Sequence, residues 1–155
     1  MTTSGNRMTP VQVVALVVGA VFLLVGVLGF IPGIVSHYDS LTWAGHHTSA
    51  ELFGLFQVSV LHNLVHLLFG VVGLAAIRTA NTARLFLLVG GSIYLVLWLY
   101  GLVIDKTADA NFVPLNTADD WLHFGLGIGM VLLGAVVPRL ATGTTRVVIG
   151  GPSLP

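Results

Sequence analysis

Three histidines, His62, His66 and His123, stand in otherwise apolar stretches. An imidazole is costly to keep in such surroundings and has chemistry to offer. His62 and His66 are four residues apart, one helical turn, so one transition metal can bind both. His62 and His123, on different helices, form a pair of the kind that ligates a haem b iron axially. The candidate cofactor site is therefore His62, His66, His123 and Gly127, a position where the missing side chain leaves room beside His66. As a metal site it is His62, His66 and His123 with two carboxylates. Asp120 precedes His123 by one turn and can orient its ring, and Glu51 precedes His62 by three turns. Glu51 lies at the mouth of the site only if the helix reaches that far.

Plainer readings stand beside these. Neutral histidines can hydrogen-bond across helices, with Asn63, Gln57 or Ser59 as partners, or can pass protons. Asp120 also completes a capping box with Thr117, and that is its simpler role. A second group, His37, His46 and His47 with Asp39 and Glu51, falls in a polar connection and could bind a metal. Because His46 and His47 are adjacent, they point apart in regular chain, and solvated loop residues are the expectation there.

The elements that must position these groups are transmembrane. Of 155 residues only 8% are charged and 55% are hydrophobic, with a mean hydropathy of +0.96. A water-soluble globule and a disordered chain are both excluded. Zero net charge gives no surface for nucleic acid. The absence of cysteine removes disulfides, iron–sulfur clusters and thiolate zinc sites. Four stretches of about 20 apolar residues predict membrane-spanning helices, near 11–31, 55–77, 85–104 and 120–138. Outer loops fall at 32–50 and 105–118, and 140–155 forms a tail. The first apolar run is taken as a retained helix because no cleavage site follows it. Pro138 and Arg139 close the fourth span. The fold class is thus all-α, a single-domain integral membrane four-helix bundle.

Charge sets its orientation. Arg7, Arg78, Arg84, Arg139 and Arg146 fall on one side of the four-span arrangement, and all six acidic residues with Lys106 fall on the other. The positive-inside rule then places both termini and the tail in the cytoplasm. Trp43, Trp98 and Trp121, with Tyr38 and Tyr100, form an aromatic belt at the outer interface.

The segment from Leu61 to Arg78 aligns on Leu122 to Arg139 without gaps, matching Leu-His, a shared glycine (Gly73, Gly134) and a terminal arginine. A weaker match relates the first and third spans. The reading is two helical hairpins as a parallel internal repeat. His62 and His123 each lie 16 residues before their arginine, ~24 Å along a helix, and so at one depth. His62, His66, Phe69 and Gly73 share one face of their helix; His123, Gly127, Met130 and Gly134 share one face of theirs. Small residues mark close helix approach, so these faces point inward and Leu64, Leu68, Val71 and Ala75 point outward. Gly125 and Gly129 form a G-x-x-x-G pair for packing, in the bundle or between protomers.

The segments Leu52-Phe53-Gly54-Leu55-Phe56-Gln57-Val58, Leu61-His62-Asn63-Leu64-Val65-His66, Asn111-Phe112-Val113-Pro114-Leu115-Asn116-Thr117-Ala118-Asp119 and Trp121-Leu122-His123 carry a resemblance. The chain resembles the uncharacterised family known as domain of unknown function 4383, small four-helix bacterial membrane proteins, over nearly its whole length. The resemblance implies a multi-pass protein of a bacterial plasma membrane and implies no activity. No catalytic constellation can be placed, so the functional expectation is a non-enzymatic accessory or assembly module with a buried histidine cluster. Its partners are the lipid bilayer and either further copies of itself or other membrane proteins. The alternative is a haem b or transition-metal protein for electron transfer or sensing through His62, His66 and His123.

Overall fold

The computed structural model describes residues 7–142. Four helices make the body: α1 (Pro10–Leu28), α2 (Val60–Ala76), α3 (Ala80–Val103) and α4 (Thr117–Thr142). α1 packs chiefly on α2 and α3 chiefly on α4, so the bundle is two hairpins laid together. α1, α3 and the Thr117–Val137 part of α4 are long and apolar enough to cross a membrane; α2 is apolar but shorter. Their outer faces are bare hydrocarbon: Val17, Leu24, Leu68, Val71, Val96 and Leu132 are all exposed. The core between the hairpins holds Ala15, Phe22, Phe86, Leu87, Tyr94 and Met130. The tail beyond residue 142, with Arg146, lies outside the described residues.

The expected second span, 55–77, is partly something else. Residues 51–57 form a hairpin, with β2 (Glu51–Leu52) antiparallel to β3 (Phe56–Gln57), and β1 (Val35–Ser36) pairs with the other edge of β2. The chain reverses through Phe53 and Gly54, both in the left-handed region at φ of 56° and 66°, a turn whose twist suits a hairpin. Val35, Ala50, Leu52 and Val58 form a second small core, packed with Val25 and Leu28 at the end of α1. Helix α2 can begin only after this cap, and Ser59 starts it.

Every amide at the start of α2 is accounted for. Val60 N–H donates to Thr42 C=O, Leu61 N–H to Trp43 C=O, His62 N–H to Ser59 Oγ and Asn63 N–H to Ser59 C=O. Three of the donors that a helix start leaves unpaired, those of Val60, Leu61 and His62, are thereby satisfied, two of them by the loop between α1 and α2. That loop is therefore a fixed lid on α2.

Two other boundaries differ from expectation. The third helix begins at Ala80, not 85, because Thr79 and Thr82 cap it reciprocally, with Thr82 N–H on Thr79 Oγ1 at 3.1 Å and Thr79 N–H on Thr82 Oγ1 at 3.2 Å. The fourth helix does not close at Pro138 but runs on to Thr142. Proline has no N–H to offer the carbonyl four residues earlier, which is that of Gly134. Arg84 Nε donates to that same Gly134 carbonyl at 3.1 Å, replacing the missing bond from the neighbouring helix.

Candidate functional site

The helical stripes read from the sequence place their residues as expected. His62, His66 and Gly73 on α2, and His123, Gly127, Met130 and Gly134 on α4, are buried, while Leu64, Leu68, Val71 and Ala75 face outward. The three histidines come together. All three line an apolar cavity of about 280 Å³, walled further by Tyr94, Leu97 and Tyr100 of α3. They also border an adjoining cavity of about 190 Å³, with Asn63 and Asp119. The rings of His62 and His66 are stacked with centroids 4.6 Å apart, Phe22 lies 5.6 Å from His66, and Tyr94 meets His123 edge-on at 5.1 Å.

None of the expected partners bonds a ring through its side chain; the His62 ring bonds backbone only, at Gln57 and Pro114. Asn63 Nδ2 donates to Gly29 C=O at 2.6 Å, Gln57 Nε2 to Thr48 C=O at 2.7 Å, and Ser59 is spent on the α2 cap. His66 Nδ1 sits 3.0 Å from His62 C=O, one turn back. A carbonyl only accepts, so His66 carries a proton on Nδ1, which in the neutral ring leaves Nε2 as an acceptor. His62 Nδ1 and His123 Nδ1 are buried without a hydrogen-bond partner among the described residues. Leaving a buried polar atom unpaired costs about 1–3 kcal/mol, which is unusual in a settled core.

Three expected members stand elsewhere. Glu51 lies in β2, not on an extension of α2, so it cannot share the histidine stripe. Asp120 neither orients His123 nor caps α4. It is an ion-pair partner of Lys106, whose Nζ lies 2.9 Å and 2.7 Å from its two oxygens, and it occupies the space that a side chain on Gly101 would need. Gly127 is buried against α3, where an added Cβ would strike Leu95 and the Gly91 carbonyl, so its missing side chain serves helix approach and not the cavity. The capping box opening α4 lies one register earlier: Asp119 N–H donates to Asn116 Oδ1 at 3.0 Å and Asn116 N–H to Asp119 Oδ2 at 2.9 Å. The same Asp119 oxygen accepts Gln57 N–H at 3.1 Å, and Asn116 Nδ2 reaches Leu55 C=O at 2.8 Å. Asn116 and Asp119 thus clamp the β-hairpin to the fourth helix.

Sequence reasoning missed Tyr94 and the cavity's roof. Tyr94 lies on the buried stripe of α3 that also carries Gly90 and Gly101; the small-residue rule used for α2 and α4 points to it equally well. The roof is Phe112, Val113 and Leu115 of the loop between α3 and α4. Asn111 holds that loop, donating through Nδ2 to Lys106 C=O and accepting Leu115 N–H at 3.0 Å. At the loop's start Asp105 accepts the Thr107 amide and hydroxyl at 2.9 Å and 2.8 Å, and these bonds hold its carboxyl below the usual range.

The outer-loop histidines also depart from expectation. His46 and His47 do not point apart: their ring centroids are 3.9 Å from each other. Gly45, at φ 92°, turns the chain there. His37 and Asp39 lie apart from them, in and beside the 3-10 turn Tyr38–Ser40. Gly125 and Gly129 have open space where a side chain would stand, so among the described residues their pair packs against nothing.

A bundle of apolar-faced helices around a histidine-lined cavity defines a small helical membrane protein. Residues 12–136 match the family described as a domain of unknown function (DUF4383), and the chain belongs to that family. No curated protein and no solved structure matches it.

Proposed function

We propose that this is a multi-pass protein of a bacterial plasma membrane with a non-enzymatic, accessory role, and that it holds a small, largely apolar molecule in the cavity shared by His62, His66 and His123. The observation that carries this reading is the pair of buried, unpartnered Nδ1 atoms of His62 and His123 in an apolar cavity. Histidines serving as glue between helices would use these nitrogens to bond a neighbouring helix. A cavity near 280 Å³ stands at the lower edge of the range for small-ligand sites, roughly 300–1,000 Å³. Its polar demand is for one or two hydrogen-bonding groups on an otherwise apolar body.

The orientation follows from charge: Arg7, Arg78 and Arg84 belong to the cytoplasmic end, and the β-hairpin and Lys106 to the outside. The internal-repeat reading is supported by the shared burial of Gly73 and Gly134 and by His62 and His123 lining one cavity.

Native mass spectrometry and an absorbance spectrum of the protein in lipid nanodiscs test the proposal. The expected result is a bound organic molecule that is lost from His62→Leu/His123→Leu, in a variant that still elutes as the folded parent does. A Soret band would identify that molecule as haem and shift the role to electron transfer or sensing. A parent protein with nothing bound, and with no change in melting across a panel of lipophilic compounds, overturns it.

A further inference from the structure

We propose a second site, independent of the cavity: a divalent transition-metal site of the zinc type, formed by His46 and His47 of the first outer loop and Asp109 of the second. Among the described residues these three form a group whose ligand atoms all lie within 4.8 Å of one another. Two imidazoles and a carboxylate are the donor set of zinc, copper or nickel, not of magnesium or calcium, which take oxygen.

Adjacent residues seldom aim at one point, and here the backbone makes them do so. Gly45 takes a left-handed conformation, and its N–H donates to Phe112 C=O in the second loop at 2.7 Å. That single bond stitches the two loops together immediately beside His46 and three residues from Asp109. Each loop is itself anchored, the first by capping α2 and the second by Asn111 and the Lys106–Asp120 pair. The ligands are therefore brought together before any ion arrives.

A second observation points to a ligand. His46 Nδ1 is buried and has no hydrogen-bond partner, whereas His47 and Asp109 are exposed and open the group to solvent. Zinc–ligand distances near 2.0–2.1 Å place tetrahedral ligands about 3.3 Å apart, so the group needs only a small closing movement. Three protein ligands leave a fourth position for water or an exchangeable partner. Closure would draw residue 109 toward the first loop and tighten Phe112, Val113 and Leu115, the roof of the histidine cavity.

The test uses the full, untagged chain in nanodiscs, titrated with Zn2+ by calorimetry and with Co2+ by visible absorption. One ion per chain is expected, with the intense d–d bands of four-coordinate cobalt. His46→Gln/His47→Gln and Asp109→Asn are surface changes, and circular dichroism will report their folding. The double histidine variant is expected to bind about a hundredfold more weakly or not at all, and to lose the cobalt bands. His62→Leu/His123→Leu is expected to bind Zn2+ as the parent does, so failure of the cavity proposal leaves this one standing. No Zn2+ binding by the parent overturns it, as does unchanged binding after His46→Gln/His47→Gln. Loss of binding on His37→Gln with those two variants silent overturns it equally.

Discussion

The two histidine groups differ in what surrounds them more than in what they contain. His62, His66 and His123 are buried and share an apolar cavity; the carboxylates nearby are already engaged, Asp120 by Lys106 and Asp119, which borders the adjoining cavity, by the amides of Gln57 and Asn116. His46 and His47 are near the surface, and a carboxylate joins them within 4.8 Å. Burial in an apolar cavity with no free carboxylate suits a small apolar ligand that is grasped through one or two hydrogen bonds. Convergence with a charge suits a cation, because an anionic donor offsets a dipositive ion that neutral imidazoles alone would leave uncompensated. The costliest histidines are not the best metal ligands.

The largest expected effect removes the element common to both groups. Lys106→Met strands Asp120, which is only 5% exposed; because Lys106 itself is 32% exposed, the cost falls at the low end for a broken buried pair, about 3 kcal/mol. The second loop should then loosen, lowering the melting temperature and weakening both the cavity ligand and Zn2+. Lys106→Met/Asp120→Asn should recover most of the stability, since no charge is left unpaired. If Lys106→Met alone leaves melting and both binding events unchanged, the two groups do not depend on a shared loop.

Next is the crossing of variants and ligands. His46→Gln/His47→Gln should cost about a hundredfold in Zn2+ affinity, near 2.7 kcal/mol, and leave the cavity ligand bound. His62→Leu/His123→Leu should do the reverse. Either variant abolishing both would merge the sites into one and end the comparison.

A smaller effect provides a control at the opposite end of the bundle. Arg84→Met loses a charged hydrogen bond to the Gly134 carbonyl, about 1.5 kcal/mol, and should alter neither binding event. Pro138→Ala restores an N–H to that carbonyl, so in this background Arg84→Met should cost clearly less. Equal costs in both backgrounds would show that the arginine does not replace the helix bond.

The smallest effect has the most informative sign. In ligand-free protein His123→Leu removes an unpartnered polar atom and should be neutral or stabilising by up to about 1 kcal/mol. Interhelical glue would instead lose about 0.6 kcal/mol. Thermal denaturation in nanodiscs separates the two.

How far the sequence could be read depended on the range of the forces involved. The four helices, their apolar faces and the inward stripes were legible, because helical period and membrane solvation act locally on every residue. His62 and His123 were legible as cavity residues for the same reason, and Tyr94 would have been with the same rule applied to α3. Gly127 shows the limit: the stripe placed it inward, but only the packing of α3 decided that it meets Leu95 and not a histidine.

What the sequence by itself determined, then, is a membrane-embedded helical bundle with three histidines turned to its interior. Residues three or four apart share a face whatever they later touch, and lipid penalises any other arrangement. The tertiary structure alone decided where α2 starts, which of two adjacent aspartates caps α4, and which histidines meet a carboxylate. Asp119 and Asp120 are the same side chain one residue apart. Gln57 selects one as a cap, and Lys106 with Gly101 selects the other as an ion pair. Asp109 lies 62 residues beyond His47, and the stitch from Gly45 to Phe112 holds their two loops together.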